Sequence, residues 1–187
     1  MVSLNRVVMQ PASRRRIAAL GPERLDAAEI SGKWGRMFRF KSYTQFAFPK
    51  HDICAGPFKD PHSGELRQFD LILANQVWEH LDRPYAATRH VRQMLRQGGF
   101  FWVAVPFFVP YHAAPQDNAR WSARGLKNLL IEAGFEETAI EAHQWGNRHV
   151  AKRNLESVWP PNYDPETDDI TNDPTMPVCA WAFAQRT

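Results

Sequence analysis

The sequence predicts a single α/β domain built on a doubly wound, mostly parallel sheet. Three observations carry this. Residues 69–74 (Phe-Asp-Leu-Ile-Leu-Ala) and 100–105 are nearly continuous apolar runs, as strands covered on both faces must be. A stretch of helical spacing follows each of them, so strand, helix, strand, helix, strand succeed one another. The length of 187 residues suits one domain, large enough to bury roughly 70% of the surface its unfolded chain exposes.

Residues 1–20 read as a basic N-terminal arm ending in a short helix, with Arg14, Arg15 and Arg16 as solvated charge. Residues 25–30 read as a first strand and 43–48 as a second, stopped by Pro49. The connection between them holds Gly32 and Gly35 and is too short for a full crossover helix. After strand 69–74, Asp82 is placed to cap a helix with Pro84 in its first turn and Tyr85, Thr88, Val91 and Leu95 along one side. Gly98 and Gly99 offer the left-handed residue that ends it. Strand 100–105 stops at Pro106, and a loop of about fifteen residues follows. Ser122 caps a further helix bearing Leu126, Leu129, Leu130 and Ala133; Gly134 ends it, and 135–142 return as a strand. Residues 147–158 form a basic helical segment and 160–177 an irregular loop. Residues 178–183 form a last strand that no helix follows, so it can pair antiparallel to its predecessor.

Composition bounds the function. Apolar residues make up 44% and charged residues 23%, ordinary for a globular chain. No apolar run approaches the ~20 residues of a membrane span, and no secretion segment follows the arginines, so the expected location is cytoplasmic. Cys54 and Cys179 are too far apart for a metal cluster or a disulfide framework and read as reduced, structural thiols; no metal ligand set is read from the sequence. A net charge of +3 favours an anionic substrate but is too small to argue for nucleic acid, and no basic stripe with interleaved aromatics exists.

Four segments resemble the small, type 11 kind of class I S-adenosylmethionine-dependent methyltransferase: residues 69–81, ending in Trp78-Glu79-His80-Leu81; 90–99, ending in Gly98-Gly99; 106–121; and 125–135. The resemblance covers about residues 25–145. It implies a Rossmann-like sheet of seven strands with an antiparallel last strand, and S-adenosylmethionine lying across the carboxyl ends of the first strands. In its light, the run from Glu29 to Gly35 is the acidic strand end and glycine turn. Glu29 would orient the methionine ammonium beside Ser31, and Gly32 would make room for it. Asp52 would meet the adenine amino group, and Asn75 and Gln76 would border the cofactor. The position that should grip the ribose holds Ala47, which leaves open a non-catalytic binding module, or a homo-oligomer or partner chain that completes the site.

Methyl transfer is an in-line displacement, and a hydroxyl acceptor also needs a base. His80 and His112 follow the carboxyl ends of the two buried strands, where open sheets bind ligands. His112 is the leading base, with Asp117 as its orienting partner and His80 next in line. Tyr111, Arg120 and Trp121 suit acceptor binding: an arginine for a carboxylate or phosphate, aromatic rings for a sugar face. Residues 106–121 resemble a substrate loop of methyltransferases that accompany cell-surface polysaccharide genes, which implies a small-molecule acceptor related to sugars or glycans. A nicotinamide oxidoreductase is disfavoured because no Gly-x-Gly-x-x-Gly follows the first strand.

Overall fold

The computed structural model describes residues 2–113 and 115–187. Six strands form one sheet: β1 (Asp26–Ile30), β2 (Ser42–Phe46), β3 (Phe69–Asn75), β4 (Leu95–Pro106), β5 (Ile140–Trp145) and β6 (Cys179–Gln185), in the order β2-β1-β3-β4-β6-β5. The first four in that order run parallel, and β6 is antiparallel to both β4 and β5. The doubly wound sheet and its antiparallel last strand are therefore as the sequence predicts. The expected seventh strand is not found among the described residues. Residues 47–68 pass the β2 edge as irregular chain, with a lone bridge between Lys59 and Leu66.

Helices cover both faces. On one side α2 (Pro84–Met94) and α3 (Ala123–Glu132) bury Ala87, Val91, Met94, Leu126 and Leu130 against Ile72, Phe101 and Val103. On the other, α1 (Met9–Ala18) and α4 (Arg148–Arg153) bury Met9, Ile17 and Val150 against Leu71, Leu73 and Trp102. The N-terminal arm is thus part of the core, not a solvated tail. Met9 and Ile17 are fully buried, Ser13 accepts a 3.0 Å hydrogen bond from Trp102 Nε1, and Arg16 pairs with Glu141 at 2.9 Å. Arg14 and Arg15 remain exposed.

Several local expectations shift by a few residues. Leu95 opens β4 and does not close α2, and Tyr85 is exposed while Ala87 and Met94 take up the buried face. Gly98 (φ 78°) lies inside β4, where the register to β3 slips between Phe69 and Leu71. A side chain at Gly99 would meet the carbonyl oxygens of Arg96, Asp70 and Phe69 at 3.0–3.2 Å. Asp82 makes no cap; its carboxylate accepts from Asn118. Ser122 caps α3 through a 3.2 Å bond from the Gly125 amide. Residues 137–139 form a 3-10 turn, so β5 starts only at Ile140.

Candidate active site

β1 and β3 end the same way. Ser31 and Gln76, each one residue past its strand, donate one more ladder bond, to Phe46 O (2.7 Å) and Ala104 O (2.8 Å). Both then take left-handed backbone, φ 50° and 57°. Such conformations cost a non-glycine residue ~1–3 kcal/mol and cluster at ligand sites. Here they turn the chain away from the sheet and open a cavity of about 450 Å³, lined by Ser31, Ala47, Asp52, Gln76, His80 and Gln116 among others. A volume of that size suits a small-molecule or cofactor ligand.

The acidic residue at the end of β1 does not face this cavity. Glu29 is fully buried and its carboxylate is engaged from within: Oε1 accepts from the Trp34 amide (2.9 Å), Oε2 from the Gly35 amide (2.6 Å) and from the Tyr43 hydroxyl. It ties down the turn Trp34–Met37. Gly32 is explained by the same contact, because a Cβ there would land on Glu29 Oε1. Gly32→Val should therefore destabilise the fold by ~1–3 kcal/mol through overpacking, seen as a lower melting temperature without any ligand. A variant that melts with the wild type would show that the turn yields freely.

Of the other residues assigned by resemblance, Ser31, Asp52 and Gln76 line the cavity. Asp52 Oδ1 accepts from the Cys54 amide at 2.8 Å. Ala47 lines it too, with no carboxylate to offer. Asn75 is not in the wall, but its Oδ1, like Gln76 Nε2, is a buried polar atom without a partner among the described residues.

A second cavity of about 200 Å³ adjoins the first. Arg6, Gln76, His80, Val109, His112 and Trp159 are among its walls. Gln76 and His80 belong to both cavities. The loop after β4 brings His112 here because it is pinned to the turn after β3: the Asn118 amide donates to Glu79 O (2.7 Å), and His80 Nδ1 meets Gln116 O at 2.5 Å. The two imidazoles then stand edge to face, centroids 5.2 Å apart, and His112 also packs on Trp159.

Between the imidazoles lies Glu79, which the sequence reading passed over. It is fully buried and neither carboxylate oxygen has a hydrogen-bond partner among the described residues. Oε1 stands 3.7 Å from His80 Nε2 and 3.9 Å from His112 Nε2. This carboxylate, more than any other group, raises the His112 pKa above its ordinary 6.5. Arg6 was missed as well; burial lowers its pKa, and Glu79 opposes that shift.

The remaining loop residues serve mainly to hold His112. Asp117 Oδ2 accepts from the His112 amide (2.8 Å) and lies 3.4 Å from Nδ1, whose closer partner is Pro110 O at 3.0 Å. Arg120 grips the same carboxylate with both terminal nitrogens and holds its pKa down at about 2. Asp117 thus fixes the backbone of the loop more than the ring. Trp121 packs partly buried against the α2/α3 core, and Tyr111 is 75% exposed; neither lines either of these two cavities. Ala114, within the predicted acceptor loop, lies outside the described residues.

A family model described as a methyltransferase domain matches residues 15–103. Among solved structures, an S-adenosylmethionine-dependent methyltransferase from Thermotoga maritima aligns with TM-score 0.59 at 14% identity, covering 94% of this chain and 89% of its own. One from Archaeoglobus fulgidus aligns at 0.59 and 12%, covering 95% and 93%. The 1,6-didemethyltoxoflavin-N1-methyltransferase of Burkholderia thailandensis, solved with its substrate and S-adenosylhomocysteine, aligns at 0.61 and 14%, covering 97% and 79%. At these identities the likeness is one of fold. No curated protein matches the chain.

Proposed function

We propose that this chain, whose residues 15–103 match a methyltransferase-domain model and whose fold is that of S-adenosylmethionine-dependent methyltransferases, transfers a methyl group from S-adenosylmethionine in the first cavity to a polar small molecule in the second. The observation that carries this is the shared wall: Gln76 and His80 line both cavities, so a ligand in one meets a ligand in the other at these two side chains. The first cavity fits the cofactor. Its volume is adequate, and Gln76, whose Nε2 has no partner among the described residues, stands in its wall. Asp52 and Ser31 supply further polar contacts. Bound there, the cofactor supplies an electrophilic methyl group on a sulfonium.

This chain's own contribution is alignment and acceptor activation. Trp159 and Val109 give the second cavity apolar wall, and Arg6 gives it a cation, a pairing that suits a sugar-like or glycan-related acceptor bearing an anionic group. His112, with His80 and Glu79 behind it, is the assembly on which loss of the acceptor's proton turns. Asp117 and Arg120 keep His112 in place.

Calorimetric titration with adenosylhomocysteine tests the reading: one site per chain, weakened by Gln76→Ala and by Asp52→Ala. Absence of heat and of thermal shift up to millimolar ligand would reject it in favour of a non-catalytic module, the reading that Ala47 supports. The same position yields a gain. Ala47→Asp should tighten adenosylhomocysteine about fivefold, since one hydrogen bond is worth ~1 kcal/mol. Unchanged or weaker binding would mean that the ribose is held elsewhere.

A further inference from the structure

We propose that Glu79, His80 and His112 form a binding site for a divalent transition-metal ion of the zinc class, open toward the second cavity. One atom from each residue converges, all three within 4.8 Å of one another. The orientation of the imidazoles argues for a cation between them. His80 Nδ1 lies 2.5 Å from Gln116 O and His112 Nδ1 lies 3.0 Å from Pro110 O. A carbonyl accepts only, so each Nδ1 carries the proton. Nε2 of each ring stands near Glu79 Oε1, at 3.7 and 3.9 Å, and is the nitrogen that offers a lone pair once a metal displaces any proton on it. Three acceptors therefore face a common point. A backbone carbonyl on the far ring nitrogen is the arrangement that fixes metal-ligating histidines elsewhere.

Glu79 supplies an independent reason. It is fully buried and both its oxygens lack any partner among the described residues. A carboxylate taken out of water without a hydrogen bond is costly, and among the described residues the two imidazoles are its nearest possible counter-charges, with no arginine or lysine in ion-pair range. Two imidazoles with one carboxylate suit zinc, iron, cobalt or nickel rather than magnesium or calcium. Zinc–ligand bonds of about 2.0–2.2 Å put tetrahedral ligands roughly 3.4 Å apart. Against that spacing, the two carboxylate edges must close by some tenths of an ångström and the edge between the imidazoles, which is within 4.8 Å, by no more than about 1.4 Å. Three protein ligands leave at least one position free. Since His80 and His112 both line the second cavity, that position takes an oxygen donor there, a hydroxyl or carboxylate of the acceptor.

The site is testable without turnover, and apart from the cofactor reading. Chelator-treated full-length protein is titrated with Co²⁺ and followed by visible absorption and calorimetry, then challenged with Zn²⁺. The expected result is one Co²⁺ per chain, displaced by Zn²⁺, with affinity falling at least tenfold in Glu79→Gln and in His112→Asn. Circular dichroism and adenosylhomocysteine titration in chelator report folding and the first cavity separately. If Glu79→Gln does not fold, His112→Asn, on the loop, decides. Absence of stoichiometric Co²⁺ up to millimolar, or equal binding by wild type and a folded variant, overturns the metal site. Adenosylhomocysteine binding alongside that result would leave the methyltransferase reading standing. Co²⁺ binding without adenosylhomocysteine binding would do the reverse.

Discussion

Replacing His112 with asparagine is expected to lower methyl transfer by about 10²–10⁴-fold, the range for loss of a group that manages an acceptor's proton, while adenosylhomocysteine affinity stays within about twofold. The separation follows from position. His112 lines the second cavity and not the first. Its loop is held by backbone bonds that asparagine preserves: the residue 112 amide to Asp117, and the Asn118 amide to Glu79 O. Single-turnover rates with an identified acceptor, set beside calorimetric cofactor affinity, check it. A fall of less than tenfold would make His80 the leading residue. A parallel collapse of cofactor affinity would make His112 a brace of the whole crevice.

The largest expected effect on stability comes from Trp102→Ala, about 3–5 kcal/mol for a fully buried tryptophan. At this chain length that is a melting temperature lower by roughly 6–20 °C. Trp102 is 0% exposed, inside β4. It stacks on Trp34 at 4.3 Å and donates to Ser13 on α1. Its loss would free the N-terminal helix and, through Trp34, the turn that Glu29 holds. Trp102→Phe keeps an apolar ring but loses the donor and some volume, so it should fall between the two. An alanine variant that melts within about 3 °C of wild type would show that α1 is held by other contacts.

The sheet was legible because buried parallel strands are written as unbroken apolar runs, and β3 and β4 are such runs. The docking of α1 was not. Its few apolar residues, Met9 and Ile17 among them, sit in a strongly basic segment, and what fixes it is a partner 89 residues away. The start of β5 was misjudged because Phe135 is buried ahead of the strand, and an apolar residue in a turn has the same letter as one in a strand. At the site, His80 and His112 were visible as histidines just past strand ends. Glu79 was not, because its meaning lies in being sealed from water without a partner, a property of the fold and not of spacing. Glu29 and Gly32 were read as a ligand-binding pair, whereas they are each other's explanation: the carboxylate fills the space that a side chain at residue 32 would need.

The two cavities draw on different stretches of chain. Apart from Pro115 and Gln116, the wall of the first comes from residues 30–82, inside the segment 15–103 that matches the methyltransferase-domain model. The second takes only Gln76 and His80 from that segment. Ser3, Asn5 and Arg6 come from before it, and Pro106, Val109, His112, Trp159, Pro160, Val178 and Cys179 from after it. On the proposed reading, selection on what is methylated can therefore act on one set of positions while the cavity assigned to the cofactor stays under a separate constraint. A directed-evolution library confined to Arg6, Val109 and Trp159 would search acceptor space without touching a residue of the first cavity.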